Sequence, residues 1–95
     1  MSEEDFMIKS RSEMISDFGY RIITDNVERK RYQKIQKGKK IDVTIDVYTG
    51  NVTVFEHRNS ELHHVELPNN EMRLFKMEAE DLLQRYNEIK DGVGK

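Results

Sequence analysis

Between Lys39 and Leu67 apolar and polar residues alternate with period two, most cleanly in Ile41-Asp42-Val43-Thr44-Ile45-Asp46-Val47. Successive side chains of a strand point to opposite faces, so this alternation predicts strands with one buried and one wet face. Thr49-Gly50 and Asn59-Ser60 interrupt the run as turn pairs, which makes it a three-stranded antiparallel meander. A two-residue loop at Thr49-Gly50 sets Val47 opposite Val52 and Ile45 opposite Val54. A second at Asn59-Ser60 sets Val54 opposite Val65 and Val52 opposite Leu67, with Arg58 facing Glu61 and Glu56 facing His63 as favourable cross-strand pairs. One face then carries Ile41, Val43, Ile45, Val47, Val52, Val54, Val65 and Leu67. A slip of one residue in either hairpin would turn these aliphatics onto the wet face, so the register is well specified.

That face needs a cover, and the C-terminal segment supplies one. Pro68 ends the strand, Asn69 or Asn70 caps a helix running to about Lys90, and Gly92 lies beyond it. Met72, Phe75, Ala79, Leu82, Tyr86 and Ile89 recur at spacings of three and four. Leu74 and Leu83 widen the stripe to a face suited to a sheet rather than to a coiled-coil seam. Asp81 and Arg85 are spaced to pair along the exposed side.

Upstream, Met7, Met14, Ile15 and Phe18 recur at helical spacing and predict a helix over 4–18. Ser2 is placed to cap it, with acids in its first turn, and Gly19 to stop it. Ser10-x-x-Glu13 is a second capping box, which would start the helix later. Residues 20–24 are β-branched and aromatic, hence extended, and Asp25-Asn26 is a turn signal. The stretch 27–36 has strand length, but Tyr32 and Ile35 fall on opposite parities. Its density of lysine and arginine places it at the sheet edge, where such charges discourage pairing with strangers, with a bulge as an option. Lys37-Gly38 then turns the chain.

The predicted fold is therefore α+β: an N-terminal helix, an antiparallel meander of four or five strands, and a long C-terminal amphipathic helix on one sheet face. Ninety-five residues suit one domain, 1–95, with 1–4 and 92–95 frayed. The chain is polar, with hydrophobic and charged residues each at 36%, against typical fractions of about 45–50% and about 25%. Its apolar residues are periodic rather than scattered, which argues for a folded core.

Cysteine is absent, which excludes disulfides, thiolate metal sites and a cysteine nucleophile. The start, Met-Ser-Glu-Glu-Asp, does not read as a signal peptide, and no apolar run approaches the roughly 20 residues of a membrane span. A soluble cytoplasmic protein with no membrane partner is expected. The net charge of −2 conceals a polarity, since 29–40 holds seven basic residues and no acid while the remainder is acidic. That polarity is the strongest compositional sign of a partner.

Three groups of residues could carry function. The register places Thr44 opposite Phe55, Asp42 opposite His57, Phe55 opposite His64 and His57 opposite Leu62, with Tyr48 and Asp46 on the same outward side. Tyr48, Phe55, His57, Leu62 and His64 then form a contact patch, covered either by the first helix or by a protein partner. Second, Arg29, Lys30, Arg31, Tyr32, Lys34, Lys37, Lys39 and Lys40 could follow phosphates, with Tyr32 stacking on a base, in a nucleic-acid-binding module. Third, Asp42, His57 and His64 have donors that suit zinc or ferrous iron, and His57 beside Asp42 is half of a general-base pair. No motif supports either, so no metal site, cofactor or catalytic residue is assigned. GxGxxG, GxxxxGK[ST], HExxH and EF-hand patterns are missing.

The leading expectation is a non-enzymatic protein–protein interaction module, a regulator, adaptor or inhibitor of a larger partner, of the make-up common among small proteins of phages and other mobile elements. Nucleic-acid binding is the alternative. Homo-oligomers formed through an edge strand or the outer face fit either reading.

Overall fold

The computed structural model describes residues 10–93. Helix α1 (Arg11–Asp17) leads into strands β1 (Arg21–Asp25), β2 (Arg29–Gln36), β3 (Lys39–Asp46), β4 (Val52–Arg58) and β5 (Glu61–His64), and helix α2 (Asn69–Val93) closes the chain. The strands form one antiparallel sheet in sequence order. The predicted α+β architecture is the observed one. No helix among the described residues is long and apolar enough to cross a membrane.

The later of the two predicted starts is the one seen for α1. Ser10 caps it, its Oγ accepting from the Glu13 N–H at 3.1 Å while its hydroxyl donates to Glu13 Oε1 at 3.2 Å, a reciprocal capping box. The Ser2 cap and the first residues of the 4–18 helix lie outside the described residues. Gly19 ends the helix at φ +95°, and a Cβ there would stand 3.4 Å from the Lys34 side chain, so both backbone and space favour glycine. Asn69 is the first residue of α2 rather than its cap. The Pro68 carbonyl accepts from the N–H groups of Glu71 and Met72 at 3.0 and 2.9 Å. The helix also continues past Lys90 through Gly92 to Val93.

Two hairpins turn as the residue types require. Lys37-Gly38 and Asn59-Ser60 both hold positive φ at both positions, the geometry that matches strand twist in two-residue loops. The β3–β4 connection differs from the predicted two-residue loop. It spans Val47 to Asn51, with Asp46 N–H donating to the Asn51 carbonyl at 3.0 Å. Asp46 causes this: its Oδ1 accepts from the N–H groups of Tyr48 and Thr49, and its carbonyl accepts from Gly50 at 2.7 Å. Val47 leaves the β3–β4 ladder and donates to the Glu28 carbonyl at 3.0 Å. Ile45 thus faces Val52, Val43 faces Val54 and Thr44 faces Thr53. The pairing moves by two positions, and because side chains repeat with period two every residue within β3 and β4 keeps its predicted face.

The larger correction concerns β2. It is an interior strand between β1 and β3, and the edges of the sheet are β1 and β5. The irregularity lies in β1, between Ile22 and Thr24, and not in β2. Tyr32 is 2% exposed in the core, and Lys30 and Lys34 point to the same side. Arg29, Arg31, Gln33 and Ile35 take the other face.

The core joins Ile15 of α1, Tyr20, Tyr32, Val43, Ile45 and Val54 of the sheet side, and Phe75 and Ala79 of α2. The Phe75 ring meets Tyr20 and Tyr32 edge-on, at centroid distances of 4.9 and 5.2 Å. Such aromatic pairs add about 0.5–1.5 kcal/mol each beyond their buried area. One turn to either side of Phe75 stands a buried carboxylate. Glu71 accepts from Tyr20 Oη at 2.8 Å and from Lys34 Nζ at 3.0 Å. Glu78 accepts from Tyr32 Oη at 2.8 Å, Lys30 Nζ at 2.7 Å and Arg11 Nε at 3.1 Å. Arg11 also pairs with Asp81, so the expected Asp81–Arg85 pair is replaced by one that ties α1 to α2. Helix α1 therefore lies on the same side of the sheet as α2, and among the described residues neither helix covers the outer face.

Burial alone would push the Glu78 carboxyl up, but the hydrogen bonds from Lys30 and Tyr32, the Lys30 charge and the Arg11 hydrogen bond outweigh it and hold it below the usual carboxylate range. Its contribution to stability is present above its unfolded value of about 4.5 and is lost as pH falls through the lower folded value. Tyr32 is the reverse case. Burial pushes its hydroxyl up to about 12, so its contribution holds below pH 10 and disappears as pH rises from there to about 12. Urea unfolding across pH should show both limbs. Glu78→Gln should flatten the acid limb and cost roughly 3 kcal/mol at neutral pH, because Lys30 loses its buried counter-charge. Tyr32→Phe should flatten the alkaline limb.

Candidate functional site

The face of the sheet turned away from both helices is assembled by cross-strand register. One row crosses all five strands: Arg21, Gln33, Asp42, Phe55 and His64. A second row holds Ile35, Lys40, His57 and Leu62, and a third Thr24, Arg31, Thr44 and Thr53. Arg29 stands beyond, opposite Asp46.

Asp42 is the centre of this face and is only 5% exposed, although it lies on the solvent side of the sheet. Its neighbours cover it. Gln33 Nε2 donates to Oδ1 at 3.2 Å, His57 Nε2 bonds Oδ2, and an Arg31 guanidinium nitrogen lies 3.8 Å from Oδ2. The predicted Asp42–His57 contact is present, but diagonally, since Asp42 faces Phe55 and His57 faces Lys40. His64 turns toward Phe55, ring centroids 4.4 Å apart and tilted by 44°. The two histidines therefore serve different neighbours. Among the described residues, no group of three or more histidine, aspartate or glutamate side chains is placed to hold a metal ion.

Of the predicted contact patch, Phe55, His57, Leu62 and His64 share this face. Tyr48 does not. It sits in the β3–β4 loop and meets the Tyr86 ring of α2 edge-on at 4.9 Å, on the helix side. Burial, helped by Glu28, Tyr86 and Asp46, raises its hydroxyl above the ordinary tyrosine value. Leu62 is 57% exposed, and Ile35, which belongs to the same row, is 64% exposed.

The basic hairpin is divided by the pleat. Lys30, Tyr32 and Lys34 turn inward to the carboxylates of α2, so Tyr32 presents no ring to a base. Lys39 lies 3.6 Å from Glu56, whose carboxyl is held down chiefly by the two hydrogen bonds from Arg58. Arg58 and His63 pair with glutamates of their own strands, Glu56 and Glu61, rather than across the hairpin. Arg29, Arg31, Lys37 and Lys40 remain on the outer face or its turn, joined by Arg21 from β1. Among the described residues no carboxylate pairs with Arg21, Arg29, Lys37 or Lys40.

No protein family, curated protein or solved structure matches the chain. What the face can do must be read from its own chemistry. Histidine and aspartate meet at His57–Asp42, with Thr44 and Thr53 in the neighbouring row of the same face. The face offers cations toward β1 and β2 and rings with an exposed leucine toward β4 and β5. On the helix side, a cleft of about 470 Å³ opens between β4, the segment after β5 and the start of α2, lined by the apolar Val52, Leu67 and Met72 and the polar Glu66, Asn69 and Lys76.

Arg21, Gln33 and Ile35 belong to this face although the sequence pattern did not assign them to the contact patch. The parity of Tyr32 is the signal that places them, once it is known to point inward. Asp42→Ala should cost about 1–3 kcal/mol in urea unfolding, because it strands Gln33 and His57 without their shared acceptor. Thr44→Ala, on the same strand and face, should change stability by well under that amount.

Proposed function

We propose that the protein is a small non-enzymatic interaction module of the cytoplasm, a regulator, adaptor or inhibitor that engages a larger protein through the outer face of its sheet. The observation that carries this reading is the composition of that face. Phe55 and the largely exposed Leu62 lie together on β4 and β5, and the exposed Ile35 lies on β2 across Lys40 and His57, on a side that neither α1 nor α2 covers. Antiparallel sheets commonly leave one face to water, but that face then alternates to plain polar residues. Here a ring and two largely exposed aliphatics occupy it, the residue types that gain most from being covered by a partner.

The face supports a protein partner better than nucleic acid. Tyr32, Lys30 and Lys34 are committed to Glu78 and Glu71 inside the fold, which removes the stacking ring and two of the cations. Phe55 is the remaining aromatic of the face, and His64 already lies against it.

Affinity capture from the native cell, read by mass spectrometry, tests the reading. Phe55→Ser and Leu62→Ser should each lower recovery of the specific partner several-fold while circular dichroism and urea midpoint show the fold retained. Tyr48→Ser, on the helix side, should leave recovery unchanged. Equal recovery with Phe55→Ser and Leu62→Ser would remove the outer face from consideration.

A further inference from the structure

The cations of the outer face are arranged asymmetrically, and this bears on what the partner presents. Arg21 on β1 and Arg29 and Arg31 on β2 lie toward one side of the face, and Lys40 borders the aliphatic row at β3. The carboxylates on the same face are already engaged. Asp42 is buried and held by Gln33, His57 and Arg31, and Asp46 accepts from the turn amides of Tyr48 and Thr49. The accessible charge of the face is therefore positive although the chain as a whole carries −2. Its apolar and ring-bearing half, Phe55, Leu62 and His64, adjoins this positive half across β3.

Resting on the outer-face reading above, we propose that this surface docks an acidic protein segment crossing the strands, its carboxylates against Arg21, Arg29, Arg31 and Lys40 and an apolar or aromatic side chain over Phe55 and Leu62. Charge complementarity selects the partner and the exposed apolar residues anchor it. The arginines are suited to this because a guanidinium takes a carboxylate through two parallel hydrogen bonds. Exposed pairs each contribute little on their own, so recognition depends on several acting together and weakens with salt. Helix α2 is fixed to the opposite side of the sheet by Glu71 and Glu78.

A labelled random copolymer of glutamate and tyrosine is the probe, with a lysine–tyrosine copolymer and oligothymidylate as comparisons, measured by fluorescence anisotropy at low and physiological salt. The glutamate–tyrosine copolymer should bind, and rising salt should weaken it. Arg29→Glu/Lys40→Glu should weaken it by roughly tenfold; neither residue pairs with a carboxylate among the described residues, so the fold should survive the change. Lys76→Glu, exposed on α2 across the molecule, should leave binding unchanged. Phe55→Ser should also weaken it, which a purely electrostatic attraction would not show. The proposal is overturned if the glutamate copolymer does not bind, if the lysine copolymer binds as well, if Arg29→Glu/Lys40→Glu binds undiminished, or if oligothymidylate is the tighter ligand. Those outcomes leave the outer-face reading itself to the capture experiment, where Phe55→Ser and Leu62→Ser decide it independently of charge.

Discussion

Two carboxylates buried under a helix set the geometry of this protein. Glu71 and Glu78 lie on the sheet-facing side of α2, flanking Phe75, and each is received by one lysine and one tyrosine from the sheet side. Taking a charge out of water costs several kcal/mol, and the pair's attraction recovers this only when the remaining lone pairs are also satisfied. Both conditions are met: no buried side-chain nitrogen or oxygen among the described residues lacks a hydrogen-bond partner. Apolar burial would let α2 slide or rotate over a sheet of valines and isoleucines at small cost. The carboxylates do not allow it, because a displacement of one turn would leave Lys30 or Lys34 buried without its counter-charge. The polar groups thus specify where the helix lies, and Val43, Ile45, Phe75 and Ala79 supply the area that makes it stay.

The same constraint explains which parts of the fold were legible in the sequence. Strands β3 to β5 announce themselves by strict alternation, and their faces were right even where the β3–β4 pairing was off by two. A two-residue error conserves parity, so only partners change, and Asp42 and His57 still meet, diagonally. The loop itself was hidden because Thr49-Gly50 resembles a tight turn, while the residue that lengthens it is Asp46, whose side chain takes two backbone amides. Strand β2 was misplaced for a different reason. Its inward positions are Lys30, Tyr32 and Lys34, and a hydropathy pattern counts lysine as surface. The sign of burial was in α2 instead: Glu71 and Glu78 fall on the apolar stripe with Phe75 and Leu82, and acids in such a stripe call for cations on the facing sheet. Pattern within one element could not show this; pairing between elements does.

For the candidate surface the lesson is similar. A segment of seven basic residues reads as one cationic patch when taken linearly, but a strand distributes its residues to two sides. Inward cations became structural, and outward ones remained available. The functional expectation attached to 29–40 therefore divides: Lys30, Tyr32 and Lys34 hold the helix, while Arg29, Arg31 and Lys40 join Arg21 on a face that the linear reading had treated separately. Likewise Tyr48, assigned outward by extending the strand period past Asp46, follows the loop to Tyr86 instead.

Whether an open sheet face signifies anything depends on what occupies it. More than half of the accessible surface of a folded protein is apolar, so a lone exposed leucine requires no explanation. The outer face differs in having its residues organised by a buried acid. Asp42 gathers Gln33, His57 and Arg31 around itself, and this ordering holds Arg31 at the centre of the sheet rather than free in solvent. Side chains already held in place lose less conformational entropy when a partner arrives. Phe55 and His64 are held in the same way by each other. A surface whose side chains serve only solubility has no need of such restraint. The outer face has one arginine, Arg31, beside a buried carboxylate, a ring against its neighbour and aliphatics left bare. These features stand on a sheet whose position the opposite face secures.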